Sequence, residues 1–173
     1  MLGDCWLLSG LATLASRDDR LTKIFMNKDI RYPADGLVGI KVRVLNKPMF
    51  VTVDDFIPVI STRTLGDVPI FARGSVDNDF WAALAEKAFA KLYGNYGQLV
   101  AGDTQEVWRM LTGSPTGVFK VQDYVNKTED LFNLLKDSFS KNYLHMGHLA
   151  EPFFGLEEGH AYSILGVHEL FDS

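Results

Sequence analysis

Leu2-Gly3-Asp4-Cys5-Trp6-Leu7-Leu8 is the stretch from which the rest of this 173-residue chain is read. It holds the single cysteine of the sequence. Leu8, Leu11, Ala12 and Ala15 recur at the three-four spacing of one buried stripe, which predicts a helix from Cys5 to Ala15. Gly3 and Asp4 are capping types, so Cys5 falls in the first helical turn, and Arg17-Asp18-Asp19-Arg20 ends the stretch with solvated charge. A thiol is a strong nucleophile only as the thiolate, which the unpaired N–H groups and dipole of a helix start stabilise. The same N–H groups can hold an oxyanion. A lone cysteine can equally be a small buried hydrophobe. A nucleophile needs a base.

The candidate bases are His145, His148, His160 and His168. His160 follows Gly159 and opens the apolar run Ala161-Tyr162-Ser163-Ile164-Leu165-Gly166-Val167, which reads as a strand. A histidine fixed at a strand mouth, with a glycine beside it, can present its imidazole to a facing helix start, as a Cys–His pair requires. His145 and His148 lack a convincing third metal ligand and read as loop or partly buried residues, and His168 as surface. The residues alone leave both readings of Cys5 open.

The bulk numbers narrow the field. A hydrophobic fraction of 47% and a charged fraction of 23% are those of a globular chain with a real core. A net charge of −5 gives no basic footprint for nucleic acid or an anionic membrane. No apolar run is long enough for a transmembrane segment. The start lacks the basic leader and small-residue cleavage site of a secretory signal, and one cysteine suits a reducing, cytoplasmic setting.

Between the two ends, turn residues surround Pro33-Ala34-Asp35-Gly36, and Leu37–Leu45 and Met49–Val53 read as strands joined at Asn46-Lys47-Pro48. Residues 62–74 read as loop. The strongest helix runs from Asp79 to Tyr93, with Trp81, Leu84, Ala85, Ala88, Phe89 and Leu92 on the apolar face and Glu86, Lys87 and Lys91 on the polar one. Gly94 stops it. Asp103 or Thr104 caps a short helix to Leu111, Val118–Val121 reads as a short strand, and Thr128–Lys141 as a helix on Leu131, Leu134, Leu135 and Phe139. Trp81 and Trp108 are most simply core aromatics, and Asp54-Asp55 is assigned no chemistry.

Three blocks, in order, carry a family resemblance: Leu2 to Leu8, Asn78-Asp79-Phe80-Trp81-Ala82-Ala83-Leu84-Ala85-Glu86-Lys87-Ala88-Phe89-Ala90-Lys91-Leu92-Tyr93-Gly94, and Gly159-His160-Ala161-Tyr162-Ser163. They closely resemble the calpain cysteine proteases, in which a Gly-Asp-Cys-Trp tetrad opens the central helix and a Gly-His-Ala-Tyr-Ser block carries the histidine. The separation of 160 − 5 = 155 residues also fits. The resemblance implies an α+β, papain-like fold: a helix-rich first lobe over residues 1–102 and a partial β-rich second lobe over 103–173, with the cleft between them. It implies calcium-dependent, cytoplasmic hydrolysis of peptide bonds in protein substrates, with Cys5 as nucleophile and His160 as base. Gly102 and Gly159 are then substrate-facing glycines, where backbone must approach backbone. Asp79 lies where the family places an acidic calcium ligand, usually a glutamate; it also suits a helix cap, and both roles can hold.

The resemblance also sets expectations outside the chain. The family's oxyanion-hole glutamine falls ahead of Met1, and its catalytic asparagine and most second-lobe calcium ligands fall beyond Ser173. This predicts a piece truncated at both ends and poorly active alone, with regulatory domains or a subunit elsewhere. A catalytically silent, protein-binding module or inactive fragment is the alternative. An acyl transferase of the transglutaminase type fits the blocks poorly.

Overall fold

Three leucines on one helix organise the interior. Helix α1 spans Cys5–Ala15, and Leu7, Leu11 and Leu14 are almost completely buried. Removing such a side chain from water contributes about 2 kcal/mol. In this computed structural model, which describes residues 2–26, 35–64, 66–74, 79–152 and 154–170, the burial of α1 goes well beyond one stripe. Trp6, Ser9, Gly10 and Thr13 are buried too, whereas Ala12 is exposed and Leu8 and Ala15 are half-buried. The stripe on Leu8, Leu11, Ala12 and Ala15 is thereby corrected, because a helix enclosed from several sides has no single apolar face. Its hydroxyls are satisfied inside the helix, Thr13 Oγ1 donating to Gly10 O at 2.8 Å and Ser9 Oγ to Cys5 O at 2.7 Å. At Gly10 a Cβ would lie 2.7 Å from Val107, so glycine permits a close approach of the helix that carries Val107.

A short helix α2 (Asp18–Leu21) and a 3-10 turn lead to Phe25, which bridges Ile40. Strands β1 (Leu37–Val44) and β2 (Lys47–Asp54) form an antiparallel hairpin in which Val44 faces Lys47. The turn is therefore Leu45-Asn46, at φ +49° and +63°, and not Asn46-Lys47-Pro48. Positive φ at both central residues gives a two-residue hairpin turn whose twist matches that of the strands. Of the turn residues around Pro33, Asp35 Oδ1 accepts the Leu37 N–H; Pro33 and Ala34 lie outside the described residues. The 62–74 segment contains more order than a loop. Strand β4 (Gly66–Pro69) pairs with β3 (Val59–Thr62), with Leu65 outside the described residues.

Helix α3 (Trp81–Tyr93) starts two residues later than expected and stops at Gly94, φ +106°. It packs Leu84, Ala85, Ala88 and Phe89 into the core, while Lys87 Nζ donates to the Phe56 carbonyl and Lys91 Nζ to the Thr52 carbonyl. Glu86, read from its charge as part of the polar face, is instead buried. Helix α4 (Thr104–Thr112) is capped by Asp103, whose side chain accepts the Gln105 N–H at 2.9 Å, and ends on the left-handed Gly113. Its Val107, Met110 and Leu111 join the core cluster of Leu7, Leu11 and Phe89.

No strand forms over Val118–Val121; that stretch is irregular and leads into a 3-10 turn at Val121–Tyr124. Helix α5 (Thr128–Ser140) half-buries Leu131, Leu134, Leu135 and Phe139. Strands β5 (His145–His148) and β6 (Ala161–Ile164) pair antiparallel and dock on α1. The described strands thus form three separate two-stranded sheets around a helical centre. Among the described residues no helix is long and apolar enough to cross a membrane.

Candidate active site

Cys5 is the first residue of α1 and is partly exposed. Asp4 occupies the cap position, and its carbonyl accepts the Leu7 and Leu8 N–H groups at 2.9 and 3.1 Å. Its side chain makes no capping bond. The N–H groups of Cys5 and Trp6, which have no partner within a helix by geometry, are therefore not claimed by a side-chain cap. Segment 97–102 runs over this end of the helix. The Ala101 N–H donates to Gly3 O at 3.1 Å, and Trp6 Nε1 donates to Leu99 O at 2.8 Å. Gly102 lies on the Trp6 indole so closely that a Cβ would be 2.3 Å from the ring. Gly102 and the Cys5 end of α1 are thus neighbours, and Gly102 is exposed.

His160 immediately precedes β6 and is half-buried. Its ring stands edge-on to Tyr162, centroids 4.8 Å apart, and the Tyr162 hydroxyl accepts the Glu157 N–H at 2.8 Å. Gly159, at φ +67° and open to solvent, is held by its N–H on Leu149 O at 2.9 Å. Strand β6 joins α1 where Ser163 Oγ donates to Ser9 O at 3.0 Å, and Ser9 Oγ lies 3.0 Å from Met146 Sδ of β5. Cys5 is one helical turn before Ser9, about 6 Å along the axis. His160 is three residues before Ser163, about 10 Å along the strand. Among the described residues no hydrogen bond joins the Cys5 thiol to the His160 ring.

Asp79 lies two residues ahead of α3, half-buried, while Phe80 takes the cap position. Its carbonyl and carboxylate oxygens both crowd Gly74, where a Cβ would meet each at 1.9 Å. These are two hard oxygen donors on one residue, but calcium needs six to eight. Among the described residues no group of three His, Cys, Asp or Glu side chains surrounds a common point. Asn78, part of the same block, lies outside the described residues.

The other histidines take structural places. Ser138 Oγ lies 2.7 Å from His145 Nε2, the ring stacks on Phe139 at 4.3 Å, and burial pushes its pKa below the ordinary value. His148 and His168 are exposed. Trp81 packs against the core, and Trp108 Nε1 donates to Thr13 Oγ1 at 3.1 Å. Asp54 accepts from Lys87 and from the Phe56 N–H, which lowers its pKa. A buried carboxyl pair, Asp4 and Glu86, stands directly behind Cys5 and has no counterpart in the reading of the sequence. The only hint was a glutamate one residue from a wholly apolar face.

The whole chain, residues 1–173, matches the family model described as "Calpain family cysteine protease". It is 31% identical to Calpain-5 of Caenorhabditis elegans, covering 96% of this chain and 28% of that protein. It is 32% identical to human Calpain-12, covering 98% and 24%, and 29% identical to the Calpain-1 catalytic subunit of Bos taurus, again covering 98% and 24%. The chain therefore spans about a quarter of the length of these relatives. The mixed helices and short sheets around a buried, cysteine-led helix are those of part of a papain-like protease core. The chain belongs to the calpain family of cysteine proteases.

Proposed function

We propose that this chain is the catalytic portion of a cysteine endopeptidase, with Cys5 as nucleophile and His160 as general base. The observation that supports it most is the docking of β6, which begins one residue after His160, on α1, which begins at Cys5, through the hydrogen bond from Ser163 to Ser9. In this reading His160 takes the thiol proton as Cys5 Sγ bonds to the scissile carbonyl carbon. The negative charge moves to the carbonyl oxygen, which the Cys5 N–H receives. The C–N bond then breaks as the imidazolium returns its proton to the leaving amine, and water releases the acyl group by the same steps in reverse. Gly102 and Gly159 would meet the backbone of an extended protein substrate, Gly102 beside Cys5 and Gly159 beside His160.

Calcium dependence and a cytoplasmic setting are finer parts of the proposal and rest on the family. Asp79 contributes a carboxylate to a calcium site in that reading, and no step above is routed through the ion. Regulatory domains or a partner subunit belong to the same tier.

The test follows the thiol. With one cysteine, alkylation by iodoacetamide read by mass spectrometry reports Cys5 alone. Cys5 should react faster than a free thiol at neutral pH, His160→Ala should slow it at least about tenfold, and calcium should accelerate the native chain. Equal rates in the native and His160→Ala chains would sink the pairing and favour the protein-binding module. A rate unaffected by calcium would remove the ion from the proposal and leave the pairing intact.

A further inference from the structure

The Asp4 and Glu86 side chains are 2% and 1% exposed. Glu86 Oε2 accepts the Ala72 N–H at 2.9 Å. Its other oxygen, and Asp4 Oδ2, have no donor among the described residues. The two carboxyl groups face each other within hydrogen-bonding reach. Two ionised carboxylates cannot share a dry site, because each loses its water and repels the other. If one of them carries a proton, the two orphaned oxygens become a donor and its acceptor.

We propose that Asp4 and Glu86 share one proton across this buried contact, and that the resulting hydrogen bond is the positioning contact that fixes the start of α1, and so Cys5, on α3. Asp4 is the residue before the thiol. Its carboxyl is turned inward to Glu86 and away from the helix cap, which leaves the first N–H groups of α1 without a side-chain partner. The pair thus holds the helix end from behind while keeping its donors free in front.

The surroundings favour the proton. Burial above all, and then the contact with Asp4, push Glu86 up to about 8 against the opposing Ala72 N–H. Tyr96, on the 3-10 turn that packs against α3, is raised to about 12 by its own burial and then by the negative charge of Glu86 and Asp54. The nearby cations are engaged elsewhere, Lys87 on Asp54 and the Phe56 carbonyl and Arg73 on the Pro69 carbonyl. An unfolded chain releases the Glu86 proton near the ordinary 4.5, whereas the folded one keeps it. The contribution of the pair to stability is therefore full below about 4.5 and is lost as pH rises through about 8.

The experiment titrates the carboxyl carbons of the 173-residue chain labelled with 13C-glutamate, then repeats Cys5 alkylation across pH. One glutamate carbon should titrate near pH 8 and vanish in Glu86→Gln. Uniformly ordinary carboxylate midpoints would overturn the shared proton. The alkylation rate of the native chain, divided by that of Glu86→Gln, should be near one below pH 7 and change at least about threefold by pH 9, following the same midpoint. The amide of Glu86→Gln donates to Asp4 at every pH, which is why it serves as the reference. A ratio independent of pH, in variants folded by circular dichroism, would overturn the positioning role. The titration of the native chain needs no variant to fold. The inference rests on the proposed function only in calling Cys5 the nucleophile, so a failed His160 test and a failed carboxyl titration are separate results.

Discussion

A methyl group at Gly102 would sit 2.3 Å from the Trp6 ring, and the ring cannot easily withdraw, since it is buried and its Nε1 is held on Leu99 O. Gly102→Ala should therefore cost about 1–3 kcal/mol, the usual penalty of overpacking a rigid contact, read as a lowered urea midpoint. An unchanged midpoint would mean that the indole yields. The resemblance marks Gly102 as a substrate-facing glycine; that its neighbour is the indole beside Cys5 was not legible in the sequence, because the contact spans nearly a hundred residues of chain. Glu86 shows the opposite case. A charged side chain in an amphipathic helix reads as solvated, and the partner that accompanies its burial, the Ala72 N–H, is brought to it by the fold.

At the scale of elements, local pattern worked where local forces decide. The helix from Cys5 to Ala15, a cap at Asp103, one of the two candidates there, and the Gly94 stop stand where spacing and capping chemistry put them. The β1–β2 turn did not, because Pro48 and Asn46 are strong turn signals while Leu45 is a poor one. Leu45 nevertheless adopts φ +49° and is almost fully exposed. A left-handed conformation costs a residue with a Cβ about 1–2 kcal/mol, partly offset by the entropy that glycine loses on folding. Leu45→Gly should thus stabilise the hairpin by about 0.5–1 kcal/mol, seen as a higher thermal midpoint with an unchanged fold. A lower midpoint would show that the leucine makes contacts that outweigh its strain.

For the molecule as a whole, stability is concentrated around α1, α3 and α4, which share one buried cluster with the β1–β2 hairpin. Helix α5 has no fully buried residue. Amide hydrogen exchange followed by mass spectrometry should therefore find α5 exchanging at least about tenfold faster than α1 and α3. Equal protection would mean that the whole chain opens as one unit. The depth of this unevenness was not readable from periodicity, since α3 and α5 both carry an apolar stripe and the pattern does not say what covers it. The family, by contrast, was readable from three short blocks, because residues fixed by chemistry leave the most specific pattern.

The bond from Ser163 to Ser9 also has a mechanical meaning. Tension applied along β6 would be delivered by that bond to the α1 backbone one turn beyond Cys5. With the proposed Asp4–Glu86 contact on its other side, the first turn of α1 would be held at both ends, by β6 and by α3.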